Sequence, residues 1–295
     1  MRKKSIYLSI IFLLYLSIGY SNYQRVVRNY SFISDKRDSL LVRFLINEIN
    51  EAKGLFQYYF GDSLKQQVSI ILPSSDIEYD RLLRGIVPEW SGGVAIHKEG
   101  RIILKPGEYF DAQQYREVVL HELTHLYLAE FIGEDRLPLW INEGLAMYLS
   151  SRSISWQENI FIGNSITSGN VLQLAEIDSL LIFGFIKAKL AYLEALLAIQ
   201  YIIDSHGKEV LINLIHAFRD NKSTNQIFFE HLGYDYYDFE NKFYLHLKNN
   251  YRWMVFLQFD RLIWLSFILI LIVAFIARKF HNRRIAQNWD QEDMV

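Results

Sequence analysis

Apolar and polar positions change rhythm along this chain, and the changes mark its elements. From Asp38 to Phe60, Leu41, Phe44, Leu45, Ile49, Ala52, Phe56 and Tyr59 recur at helical spacing with charges between them, so an amphipathic helix closed by Gly61 is expected. Three short aliphatic runs bounded by turn residues, Val68 to Leu72, Gly93 to His97 and Arg101 to Leu104, predict a small sheet. From Gln114 onward the period is helical almost throughout, with helices expected at 114–131, 139–151, 186–205, 207–219 and 236–249. This order predicts an α+β fold with a small N-terminal sheet and a mainly helical C-terminal half. The run from Leu180 to Ile203 is apolar enough to suggest a membrane span, but Lys187, Lys189 and Glu194 interrupt it, so a core helix is expected there.

The two ends carry a different pattern. Arg2, Lys3 and Lys4 precede an apolar run from Ile6 to Ile18, which makes residues 1–21 a signal peptide or an N-terminal anchor. Leu262 to Ala277 holds no charge, and a transmembrane helix over 254–277 is expected, with its lipid contacts. Arg278, Lys279, Arg283 and Arg284 follow it, and such a cluster favours the cytoplasmic side. Residues 278–295 are then a short cytoplasmic tail, and a domain over 22–250 lies on the extracytoplasmic side of the cell membrane.

Composition narrows the chemistry. With 31 Lys+Arg against 33 Asp+Glu the formal charge is −2, and no basic stripe exists to collect phosphates, so nucleic acid is not an expected partner. The absence of cysteine excludes disulfides, thiol nucleophiles and Cys-ligated zinc, and leaves histidine and carboxylate as the strong metal ligands.

Those ligands occur in VVLHELTHLYLAE. His121 and His125 stand four residues apart, so on a helix both rings leave one face and reach one metal ion. Asp111 and Gln114 have capping-box spacing, which starts a helix just upstream. In LPLWINEGLAMYLS, Pro138 suits the first turn of a second helix. Glu143 is expected to face inward beside Gly144 and Ala146, whose small side chains permit close helix approach. Two imidazoles and one carboxylate leave a zinc ion an open position for water, as in hydrolytic sites. His97, His206, His216, His231 and His246 stand singly and are expected to be surface or core histidines.

These stretches, HELTH at 121–125 and LPLWINEGLAMYL at 137–149, resemble the gluzincin metallopeptidases, and most closely the peptidase MA-like domains; Trp90 through Leu104 adds a weaker likeness. The resemblance implies a zincin-like fold and one Zn²⁺ held by His121, His125 and Glu143. It makes Glu122 the general base, and Tyr192, on a later helix, a candidate to assist the oxyanion. A peptide or protein is the implied substrate. The Gly-x-Met-Glu-Asn element of related aminopeptidases is missing, so recognition of a free substrate amine is not implied. Met147 stands where thermolysin-like relatives place an Asp that steadies one histidine, so that partner must come from elsewhere. The alternative is a catalytically silent domain of the same fold that acts as a membrane-tethered protein-binding module.

Overall fold

Five strands form one sheet in the order β1-β2-β3-β5-β4: β1 (Asn22–Val27), β2 (Tyr30–Asp35), β3 (Val68–Ile71), β4 (Gly93–Ile96) and β5 (Arg101–Leu104). The computed structural model describes residues 22–83, 91–107, 109–220, 222–257 and 259–292, so the expected N-terminal signal or anchor and Trp90 lie outside the described residues. Strands β2, β3 and β5 run parallel, while β1 and β4 pair antiparallel at the two edges. Helix α1 (Ser39–Phe60) makes the crossover from β2 to β3 and stops at Gly61, whose φ of 85° is the left-handed conformation glycine adopts without a steric penalty.

Alternation along the strands sends side chains to both faces of the sheet. Ile71 and Ile103 pack with Tyr79 and Leu83 of α2 (Asp76–Leu83) on one face. Ile70, Ile102 and Leu104 are fully buried or nearly so and point the other way. On that side lies α3 (Ala112–Phe131), the helix of the histidine pair. Its start is the expected capping box: the Asp111 carboxylate accepts from Gln114 N at 2.8 Å, and Gln114 Oε1 accepts from Asp111 N at 3.0 Å. Arg116 pins α3 to its neighbours, donating to Glu48 of α1 at 2.6 Å and to the Ser150 carbonyl at 3.2 Å.

The chain forms two units. The first holds the described residues up to Ser153 together with Leu172–Phe243. After α3 it continues through α4 (Leu139–Leu149), which packs extensively against α6 (Phe185–His206). Glycine sets that approach: a Cβ on Gly144 would stand 2.4 Å from the Ala195 carbonyl oxygen and 2.7 Å from Ile199. Helices α7 (Lys208–Ala217) and α8 (Thr224–Leu232) follow, and Phe228, Phe239 and Phe243 gather buried near Trp140. A strap of 3₁₀ turns, Leu174–Ile182, leads into α6. It is tied by three carboxylates, of which Glu194 is buried, Glu240 half-buried and Asp178 exposed. Glu194 accepts from Leu172 N at 3.1 Å, Glu240 from Leu174 N at 2.6 Å, and Asp178 of the strap from Leu139 N at 3.1 Å.

The second unit holds α5 (Trp156–Thr167), the end of α9 (Tyr236–Tyr251), a 3₁₀ segment Arg252–Leu257 against α5, and α10 (Phe259–Glu292). Helix α5 opens with a full capping box between Ser155 and Glu158. In α10, the stretch Ile263–Asn282 holds an 18-residue window of mean hydropathy 2.2, none of it buried, so the helix is long and apolar enough to cross a membrane.

Two stability measurements follow. Gly144→Ala forces a methyl group into backbone and should cost about 1–3 kcal/mol, read as a lower unfolding midpoint. Burial holds the Glu194 carboxyl well above the ordinary carboxylate range, against the opposing hydrogen bond from Leu172. The native state therefore keeps this proton to a higher pH than the unfolded chain, so its contribution is present in acid and is lost as pH rises through and beyond the ordinary carboxylate range. Glu194→Gln should flatten that fall in a melting-temperature series against pH; an unchanged slope would show the residue ionises freely.

Candidate metal centre

One turn of α3 separates His121 from His125, and their rings lie 4.7 Å apart, centroid to centroid, nearly perpendicular. Glu143 comes to them from α4, the next helix in the chain. Its Oε2 lies 3.4 Å from His121 Nε2 and 3.7 Å from His125 Nε2. Among the described residues these three form the one group of His, Asp or Glu whose donor atoms converge, all within 4.8 Å of one another.

Does this donor set fit a zinc ion? Tetrahedral zinc with bonds of about 2.0–2.1 Å keeps its ligand atoms about 3.3 Å apart, close to both separations measured here. Glu143 Oε2 is buried without a hydrogen-bond partner, which is costly for a polar atom unless a cation completes it. Burial alone would raise the Glu143 carboxyl, yet His125 and His121 together hold it below its ordinary value, so it is ionised. The residues present therefore fit a divalent cation.

His125 is oriented from behind. Its Nδ1 lies 2.7 Å from Asn142 Oδ1, and since an amide oxygen only accepts, Nδ1 donates to it, which leaves Nε2, the atom that faces Glu143, as the nitrogen free to ligate a metal in the neutral ring. The partner that Met147 does not provide for one of the histidines is thus an amide one position before Glu143. The motif held no signal for it beyond a polar residue in an apolar stretch.

Glu122 points into the gap between α3 and the edge strand β4. That gap is narrow because of glycine: a Cβ on Gly93 would meet Val118 at 2.9 Å and the Glu122 side chain at 3.2 Å. The Ala95 amide donates to the Glu122 carboxylate. Burial pushes this carboxyl up to about 7; His125 and the Ala95 amide oppose the shift, and Glu143 adds to it. A carboxyl that titrates near neutrality takes and returns a proton readily.

Tyr192 arrives from α6, its ring 6.2 Å from that of His121. Burial, with Glu143 and Glu122 nearby, raises its phenol well above the ordinary value, so it remains a hydrogen-bond donor. His121, Glu122 and Tyr192 line one cleft of about 360 Å³, whose apolar wall includes Phe110, Val118, Met147 and Leu193. Two of the single histidines are engaged elsewhere: His206 meets the Tyr234 hydroxyl at 2.7 Å and His216 the Tyr59 carbonyl at 2.8 Å.

No curated protein matches the chain. A family model described as the Peptidase MA superfamily matches residues 60–249. Because that match covers more than half of the sequence and takes in every residue that lines the cleft, the chain belongs to the Peptidase MA superfamily.

Proposed function

We propose that this protein is a membrane-anchored, zinc-dependent peptidase that hydrolyses peptide bonds with Glu122 as general base. The observation that carries the reading is the unpartnered Glu143 oxygen facing two imidazole nitrogens at 3.4 and 3.7 Å, beside a buried carboxyl that titrates near neutrality. His121, His125 and Glu143 would hold one Zn²⁺. When bound, the ion supplies Lewis acidity and lowers the pKa of water to about 7.

The chain's own residues do the rest. Asn142 holds His125 in the tautomer that ligates. Glu122 takes the proton of the attacking water and passes it to the leaving nitrogen, while the Ala95 amide keeps the carboxylate aimed across the narrow gap. The Tyr192 phenol donates a hydrogen bond to the oxygen that gains charge as the carbonyl is attacked. Phe110, Val118, Met147 and Leu193 exclude water from one side of the cleft and accept an apolar part of the substrate. Helix α10 anchors the chain in the membrane, with the peptidase domain, taken as residues 22–250, on the extracytoplasmic side and the basic residues after Ala277 in the cytoplasm.

Glu122→Gln should keep one zinc per chain and lose about 10²–10⁴-fold in kcat/KM on peptides. Chelator-sensitive hydrolysis at the wild-type rate by that variant would remove Glu122 from the role of base. Asn142→Ala should weaken zinc affinity about 10–100-fold in a competitive chelator titration, with Asn142→Asp restoring it; equal affinities in all three proteins would make the His125 contact incidental.

A further inference from the structure

The strap that leads into α6 ends in an apolar tip. Ile182 is 85% exposed, Phe185 65% and Ile186 71%, three large side chains within five residues, with half-buried Phe183 and the N-cap Gly184 between them. Scattered exposed apolar residues are ordinary, but a run of this kind at one turn is not. The core does not need it, since α6 buries its other face from Ala188 to Ile202. Phe185 also lines the cleft, so the tip stands at its mouth.

We infer that this tip dips into the headgroup region of a lipid bilayer. Three features favour lipid over a protein partner. No acid occurs from Ser179 to Leu193, whereas Lys187 and Lys189 fall in the first two turns of α6, so the stretch that carries the apolar tip is basic and complements anionic headgroups, with Glu176 before it in contact with Lys187. Lys187 is half-exposed, with its ammonium 4.1 Å from the centre of the Phe183 ring and in a long ion pair to Glu176, an amphipathic posture that suits a headgroup boundary. The chain also carries its own helix long and apolar enough to cross a membrane, so lipid is a surface that the first unit meets without a diffusional encounter. On the peptidase reading, the tip brings the cleft to the bilayer surface and favours protein segments that leave or lie on a membrane.

The chain lacks cysteine, which makes single-site labelling direct. The full chain, as Ile182→Cys, Ile186→Cys, Leu40→Cys or Ile270→Cys, is labelled with an environment-sensitive fluorophore and placed in nanodiscs of zwitterionic and anionic phospholipid. Leu40, 73% exposed on α1, is the aqueous control, and Ile270 in α10 reports the anchor. The expected result is blue-shifted emission and quenching by lipid-borne quencher at 182, 186 and 270, with neither at 40. Lipid signals at 270 alone overturn the inference while leaving the anchor intact; none at any site overturns both. A shift at 182 and 186 that appears in detergent only with added peptide or rising protein concentration, and not with lipid, assigns the tip to a protein partner and also overturns it. The readout needs no catalysis, so it stands apart from the test of Glu122.

Discussion

Burying a carboxylate is among the most expensive things a folded chain does, and the first unit buries three beside or within its core: Glu122, Glu143 and Glu194. Each is met in a different way, and the differences organise the structure. Glu194 is held toward its neutral form by its apolar surroundings and takes the backbone amide of Leu172, just before the strap, as partner. Glu143 is kept ionised by two imidazoles but retains an oxygen that no protein group satisfies. Glu122 lies between these extremes, titrating near neutrality. A site that holds a cation and moves a proton, as proposed above, gives a reason to keep the last two side by side.

Bringing those groups together depends on glycine at two helix contacts. Gly144 lets α4 rest on the α6 backbone at Ala195, which presents Glu143 inward on one side and Tyr192 from the other. Gly93 lets β4 approach α3 at Val118 and Glu122, which delivers the Ala95 amide to the carboxylate. A larger residue at either position would separate elements that the chemistry needs within a few ångströms. The packing and the site are thus one design constraint.

How much of this was legible from residues alone follows the range of each interaction. The histidine pair, the capping box at Asp111 and the inward Glu143 rest on spacings within a turn or two, and the structure brings those side chains together as expected. Long helices were readable to within a few residues: 114–131 is Ala112–Phe131, 186–205 is Phe185–His206 and 207–219 is Lys208–Ala217. Short elements were read unevenly: the runs from Val68, Gly93 and Arg101 are β3, β4 and β5, whereas the first two strands and two short helices were not expected. The β1–β2 hairpin has mostly exposed or half-exposed side chains and too little alternation to stand out, and α2 and α8 span only two turns or so. Helix α5 did carry a signal, the capping box Ser155 to Glu158, which a search for apolar periodicity passes over. The Asn142 contact crosses between helices, so no local pattern encodes it.

The neutral amide at Asn142 and the thioether at Met147 belong to one electrostatic arrangement. A carboxylate at either position would orient an imidazole more firmly, but it would add a third buried negative charge beside Glu122 and Glu143. Glu143 already raises the Glu122 carboxyl, and a further anion would raise it more, leaving that carboxyl protonated at neutral pH. Met147 is buried and forms cleft wall, while Asn142 orients His125 without adding charge. On the proposed function, the chain gives up some ligand basicity at His125 and in return keeps Glu122 able to accept a proton near pH 7.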